Sequence, residues 1–153
     1  MSVPALALPD LAPATRDDRW LTEEVDDIWA RYFPDTPRVN RIDVGWRRPW
    51  KRRLGVISLS TDERTTRIGL NCLLARPEVP YCVPLVTVAH ELVHYAHGFG
   101  SPLPRRYPHP HRGGVVVREL KARGLADVFD EYSDWIDAHW WSFYARHGQR
   151  RCR

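Results

Sequence analysis

The chain is organised around residues 86–98, which read Val86-Thr87-Val88-Ala89-His90-Glu91-Leu92-Val93-His94-Tyr95-Ala96-His97-Gly98. Apolar residues recur here at helical spacing, which predicts an α-helix with one apolar face. Pro84 suits the first turn of that helix, and Gly98 suits its C-terminal end. The pattern H-E-x-x-H therefore lies on a helix, with two histidines one turn apart.

This pattern predicts a metal site with its own general base. His90 and His94 point the same way because each helical residue turns by about 100°. Their imidazoles can bind one ion, and we predict Zn²⁺, although imidazole also suits other metals. Glu91 projects to the side, outside the ligand set but within reach of a water molecule at the ion. We therefore predict His90 and His94 as ligands and Glu91 as the catalytic base.

A catalytic zinc ion usually has three protein ligands and one position open to water. We favour His111 as the third ligand, because it precedes Gly113-Gly114, where the backbone can turn sharply into the next helix. His109 is the alternative. Glu119 ranks behind both histidines, and it suits a hydrogen bond to a ligand histidine better.

Other polar residues near the motif have less defined roles. His97 lies seven residues after His90, a helical rise of about 10.5 Å, so the two cannot share one ion. We expect His97 to support the site or to face solvent. Tyr95 and Tyr107 are the candidates for stabilising an oxyanion, on proximity alone.

Composition indicates one soluble domain. The 153 residues are 43% hydrophobic and 27% charged, which is ordinary for a globular protein with a proper core. We see neither a transmembrane segment nor a signal peptide. Cys72, Cys82 and Cys152 are odd in number and form no C-x-x-C, which favours unpaired thiols in a reducing compartment. We therefore predict a cytoplasmic monomer without a membrane partner.

The chain divides into three segments. Residues 1–19 are predicted as a flexible arm, residues 20–148 as the domain, and residues 149–153 as a basic tail. The domain begins with a helix that Thr22 would cap. Its apolar face comprises Leu21, Val25, Ile28, Trp29, Tyr32 and Phe33.

A small antiparallel sheet is predicted between this helix and the metal helix. Its strands cover Ile42 to Trp46, Leu54 to Ser60 and Thr66 to Leu74. The last of these is our candidate for an open edge that pairs with an extended substrate. A short helix over 114–123 and a longer one capped by Asp127 complete an α+β fold.

A basic turn interrupts the sheet. It comprises Arg47, Arg48, Trp50, Lys51, Arg52 and Arg53. Such a turn can track phosphates and stack a base on tryptophan, which makes DNA a candidate partner. It can equally be a solvated loop whose tryptophans fold inward.

In these features the chain resembles the SprT-like (Spartan-related) family of zinc metallopeptidases. The resemblance covers roughly residues 20–125 and rests mainly on His90-Glu91-Leu92-Val93-His94-Tyr95, with softer matches at 50–55, 68–71 and 99–100. It implies a minimal zincin-like domain in which His90 and His94 are ligands, Glu91 is the base, and His109 or His111 completes the site. It also implies peptidase action on proteins, including proteins crosslinked to DNA.

The sequence thus predicts a zinc metalloprotease that hydrolyses peptide bonds in flexible or DNA-associated proteins. One alternative is a metallopeptidase that cleaves a transcriptional regulator. Another is a non-catalytic, zinc-stabilised DNA-binding module, for which four histidines around the ion would be expected. A deformylase-like site using Cys82 is a weaker alternative, because nothing around that cysteine resembles the deformylase loop.

Overall fold

The computed structural model describes residues 15–152, which form an α+β fold. Residues 1–14, most of the predicted arm, lie outside the described residues. Within residues 15–152 there are four α-helices, three strands and two short 3₁₀ turns, at Cys72–Ala75 and Arg112–Gly114. In chain order the elements are α1 (Asp18–Tyr32), β1 (Arg41–Arg47), β2 (Gly55–Leu59), β3 (Thr65–Asn71), α2 (Cys82–Ala96), α3 (Val115–Ala122) and α4 (Ala126–His147).

Helix α2 is the centre of the fold and carries the H-E-x-x-H residues. It contacts α1, α3, α4 and the sheet, so nearly all of its residues are buried. Pro84 lies in its first turn, and the helix ends at Ala96, before Gly98 takes a φ of 83°. The predicted helix is confirmed, and its burial on several sides fixes the direction of every side chain it carries.

Helix α1 forms where its apolar spacing predicted, but a different residue caps it. The carboxylate of Asp17 accepts a hydrogen bond from the Trp20 N–H, so Asp17 is the N-cap. Thr22 lies inside the helix, and its hydroxyl donates to the Asp18 carbonyl. The capping role predicted for Thr22 was therefore wrong, and the helix begins within the segment assigned to the arm.

The sheet is mixed, not antiparallel as predicted. The strand order is β1-β3-β2, with β1 parallel to β3 and β2 antiparallel to β3. β1 and β2 are consecutive in the chain but are not neighbours in the sheet, because β3 lies between them. Asn71 at the end of β3 holds the link from β1 to β2, since its amide donates to the carbonyls of Trp50 (2.7 Å) and Arg53 (3.0 Å).

This strand order also corrects the predicted substrate edge. β3 has a neighbour on each side and ends at Asn71, so the segment 66–74 offers no open edge. β2 pairs only with β3 among the described strands, which leaves its other edge free. Alternation of apolar residues locates strands but does not give their order.

The C-terminal helices α3 and α4 follow the predicted pattern. α3 begins after Gly113 and Gly114, which have φ values of 74° and 67°. α4 packs on α2 through its aromatic face, with Trp140 and Phe143 buried. Asp127 lies in the first turn of α4 but makes no capping hydrogen bond. No helix among residues 15–152 is long and apolar enough to cross a membrane.

The prediction of unpaired cysteines was wrong for two of the three. Cys72 and Cys152 form a disulfide, with their Cα atoms 6.0 Å apart. Cys82 is free and partly buried at the start of α2. The two bonded residues are 80 positions apart, so no local spacing reveals the pair. The disulfide ties the C-terminal tail to the turn that follows β3.

Candidate metal centre

Three histidines converge at one end of the cleft above α2. Nε2 of His94 lies 3.0 Å from Nε2 of His90, which in turn lies 3.3 Å from Nε2 of His111. Their potential ligand atoms all lie within 4.8 Å of one another, close enough to bind one metal ion. Among residues 15–152 this is the only such group, and it includes neither His109 nor Cys82.

The segment between α2 and α3 brings His111 to the other two histidines. Gly98 allows the chain to turn at the end of α2, where a Cβ would collide with the carbonyls of Leu103 and Pro104. The N–H of Arg106 donates to the His97 carbonyl (3.0 Å) and holds the returning segment against α2. His111 therefore reaches the site from a tethered segment, before the glycine turn that begins α3.

The arrangement of the three imidazole nitrogens suits a bound metal ion better than it suits hydrogen bonds among the histidines. Three imidazole nitrogens face one another, and hydrogen bonds among them cannot satisfy all three. Burial, and to a smaller extent the neighbouring His111, lowers the pKa of His90 to about 4. Burial, followed by His90 and His111, lowers the pKa of His94 to about 3. Neutral imidazoles at physiological pH offer the lone pairs that a metal requires.

Glu91 lies beside this group and is almost completely buried, with 5% of its surface exposed. Burial raises the pKa of its carboxyl group to about 8, against the opposing charge of Arg53. Strand β2 passes directly over it, since a Cβ added to Gly55 would lie 2.7 Å from Oε1 of Glu91. The carboxyl group of Glu91 therefore lies between α2 and β2, the strand with a free edge.

A cleft of about 720 Å³ runs along this strand and includes all three histidines and Glu91. One side is formed by Gly55, Val56 and Ile57 of β2. The cleft is also lined by α4, with Tyr132, Ile136, Trp140 and Trp141. The three histidines are therefore accessible from a cleft that is lined by β2.

The residues of the basic turn predicted as a nucleic-acid interface differ in whether they line the cleft. Lys51, Arg52 and Arg53 line the cleft beside the histidines. Arg47 instead folds back over the sheet, against the backbone of Gly69. Arg48 is exposed, and Trp50 is partly buried with its carbonyl bonded to Asn71. Neither Arg48 nor Trp50 lines the cleft.

His97 and Glu119 lie together, apart from the three histidines. His97 is 1% exposed, so a solvent-facing role is excluded. Its Nε2 lies 3.8 Å from Oε2 of Glu119, whose other oxygen is bonded to Arg123. Glu119 therefore faces His97 and none of the three converging histidines. Among the described residues, Nδ1 of His94 has no hydrogen-bond partner.

The tyrosines proposed for an oxyanion are placed elsewhere. The Tyr95 hydroxyl is used in the core, where it donates to Asn40 and accepts from the Val39 N–H. Tyr107 packs on His97 and does not line the cleft. Tyr132 of α4 does line it, and its pKa is raised by burial and further by Asp137 and Glu91. Tyr132 carries no functional signal at the sequence level, because it lies among the aromatic residues of α4, a pattern typical of a helix that packs into a core.

Comparisons with known protein families, with curated proteins and with solved structures give no match to this chain. The resemblance to the SprT-like family and the zincin-like fold therefore stay predictions from sequence. The functional proposal for this chain rests on the geometry of its three histidines.

Proposed function

We propose that this protein is a zinc-dependent metallopeptidase that hydrolyses peptide bonds in flexible protein segments. The observation that carries the proposal is the convergence of His90, His94 and His111 beside the buried Glu91, at the base of an open cleft. Three histidines and one glutamate in this arrangement suit metal-assisted hydrolysis. The resemblance of residues 90–95 to SprT-like metallopeptidases points the same way.

The three histidines would hold the ion through their converging nitrogens. When bound, zinc supplies Lewis acidity, which polarises the scissile carbonyl and makes water more acidic. Three protein ligands are the number typical of catalytic zinc, whereas structural zinc usually has four. This number favours catalysis over the alternative of a zinc-stabilised DNA-binding module.

Glu91 would move the proton during hydrolysis. In its ionised form, which Arg53 and the positive charge of a bound ion would favour against burial, the Glu91 carboxylate accepts a proton from the attacking water as the water oxygen bonds to the carbonyl carbon. It then donates that proton to the amide nitrogen, the C–N bond breaks, and the amine leaves. Burial under β2 keeps the carboxyl group in one position and away from bulk water, which favours both transfers.

The free edge of β2 would orient the substrate. An extended segment can pair with the backbone groups of Gly55–Leu59 and so lie in the cleft as an added strand. Such pairing requires an unfolded or flexible segment, because the backbone of a folded domain is already paired. Proteins crosslinked to DNA and a flexible region of a transcriptional regulator both meet this requirement.

The test compares wild type with Glu91→Gln, each assayed for bound zinc and for casein cleavage, with and without single-stranded DNA. We expect zinc in both proteins and cleavage only in wild type. Glu23→Gln, an exposed position on α1, is the matched control and should cleave like wild type. Stimulation by DNA would favour crosslink processing over regulator cleavage. Zinc without cleavage under any condition would contradict the proposal.

A further inference from the structure

We propose that Lys51, Arg52 and Arg53 form a cationic subsite that binds an acidic side chain of the substrate next to the scissile bond. This inference rests on the proposed peptidase function and specifies its substrate class. The ligand is a peptide carboxylate, from Asp or Glu, in an extended and otherwise unfolded segment.

The first support is the distribution of charge in the cleft. Its charged lining consists of these three cations and Glu91. Glu91 is buried, so the charge that faces solvent is positive. Within residues 15–152, other arginines such as Arg19, Arg38 and Arg123 pair with carboxylates. The ion pairs of this region include none of the three cleft cations. Only Arg53 has an acidic neighbour in the cleft, the buried Glu91, so an external anion can approach all three cations from solvent.

The second support is that the backbone of this segment is held in place. The indole of the buried Trp140 donates to the Lys51 carbonyl (2.9 Å). The amide of Asn71 binds the carbonyls on either side, at Trp50 and Arg53. The Arg52 guanidinium also lies 5.8 Å from the ring centroid of Trp141. A prearranged site loses less conformational entropy when it binds a ligand.

The third support is the distance to the reacting centre. Arg53 lies two residues before Gly55 in the chain, and Gly55 contacts Glu91. Two residues span at most about 7 Å, so a substrate strand along β2 would place a side chain near Arg53 within roughly two residues of its scissile bond. The subsite therefore selects an acidic side chain next to the scissile bond, where binding of that side chain also orients the bond to be cleaved.

The same geometry favours a peptide over a nucleic acid. A phosphate backbone is bound by a row of cations along its path. Arg47 and Arg48, which would extend the row, do not line the cleft. The cations instead lie beside the α4 face, where Trp140 bonds to the Lys51 carbonyl and the exposed Trp141 lies near Arg52, and this surface suits apolar side chains of a peptide.

The experiment uses two labelled peptides that differ only in Glu or Gln next to the scissile bond. The triple variant K51Q/R52Q/R53Q is compared with wild type and with R48Q/R64Q/R67Q, which removes three exposed cations outside the cleft. We expect wild type and the control to prefer the Glu peptide in kcat/KM by about tenfold at low salt, since several partly exposed ion pairs contribute. In the triple variant this ratio should fall towards one.

A second readout separates this inference from the proposed function. Binding of both peptides to Glu91→Gln, with and without the triple substitution, is measured by fluorescence anisotropy. Preferential binding of the Glu peptide that the triple substitution abolishes supports the subsite even where wild type cleaves nothing. Cleavage or binding without preference for the Glu peptide overturns the subsite and leaves the peptidase proposal standing. Single-stranded DNA binding lost in the triple variant, without any peptide preference, also overturns it.

Discussion

Gly55 of β2 lies in direct contact with Glu91 of α2, because a Cβ at Gly55 would lie 2.7 Å from Oε1 of Glu91 and 2.8 Å from Cγ2 of Thr87. Strand β2 and the buried carboxyl group of Glu91 therefore pack directly against each other. A substrate that pairs with β2 would meet the carboxyl group without any rearrangement of the chain. Glycine is the residue that permits this approach, since any side chain would fill the space.

Gly55→Ala should reduce peptide cleavage at least about tenfold, because moving a catalytic group by a fraction of an ångström disturbs its alignment with the substrate. Bound zinc should stay at the wild-type level, since the three histidines are untouched. We expect overpacking to cost about 1–2 kcal/mol of the free energy of unfolding. Gly45→Ala is the control, because the one close approach of its Cβ is to the flexible end of Arg47, and Oδ1 of Asp18 lies at an ordinary contact distance of 3.8 Å. Equal activities of the two variants would contradict the close packing of β2 on Glu91.

Tyr132→Phe should lower kcat by about 100- to 1,000-fold with little change in KM, the loss typical of a missing hydrogen-bond donor to an oxyanion. The raised pKa of Tyr132 keeps its phenol protonated and able to donate. Tyr107→Phe should have no effect, because that residue lies outside the cleft. Steady-state kinetics on one peptide substrate measure both variants. A loss in Tyr107→Phe with none in Tyr132→Phe would contradict this placement.

The ion pair between Asp35 and Arg123 should make stability depend on acid pH. Arg123 donates to Oδ1 of Asp35 at 2.6 Å, and this hydrogen bond is the main reason that the pKa of Asp35 is lowered. A lowered pKa in the folded state stabilises the fold above the ordinary aspartate pKa, and this contribution disappears as pH falls through the lowered value. The contribution is below about 1 kcal/mol, because the carboxylate is largely exposed.

Urea unfolding of wild type and Asp35→Asn at a series of pH values measures this effect. The two proteins should differ most above about pH 5, begin to converge near the ordinary aspartate pKa of about 3.9, and coincide only below the lowered pKa of Asp35. The exposed Asp130→Asn serves as the control. A difference that grows as pH falls would refute the sign of this prediction.

Cys152→Ser should lower the free energy of unfolding by roughly 2–4 kcal/mol, because the disulfide with Cys72 closes a long loop in the unfolded chain. Cys82→Ser should not produce this loss, since that thiol is free. Thermal melting with and without reductant gives the stabilities. Thiol titration of the unreduced, denatured protein should detect one free cysteine, and three would show that the disulfide does not form.

Local patterns in the sequence predicted the parts of the site that depend on local geometry. The spacing of His90 and His94 on a helix of apolar residues fixes their common direction wherever that helix packs. His111 could be favoured over His109 because Gly113 and Gly114 indicate where the chain turns, and both take positive φ. The structure brings together the residues that these short-range signals indicated.

Features that depend on long-range pairing could not be predicted in this way. The strand order places β3 between β1 and β2, and the interaction that holds the link, Asn71 with Trp50 and Arg53, spans about 20 positions. The partner of Cys72 is 80 positions away. Tyr132 faces the cleft only because of how α4 packs on α2. Each of these depends on tertiary contacts that hydrophobic periodicity does not encode.

The measurement that tests the central claim most directly is the zinc stoichiometry and affinity of wild type, His111→Ala and His109→Ala. We predict one tightly bound zinc ion in wild type and in His109→Ala. Loss of a ligand should weaken binding in His111→Ala by roughly 100-fold or more, since even groups that only support a ligand contribute 10- to 100-fold. A wild-type protein without zinc, or His111→Ala with wild-type affinity, would contradict the three-histidine centre.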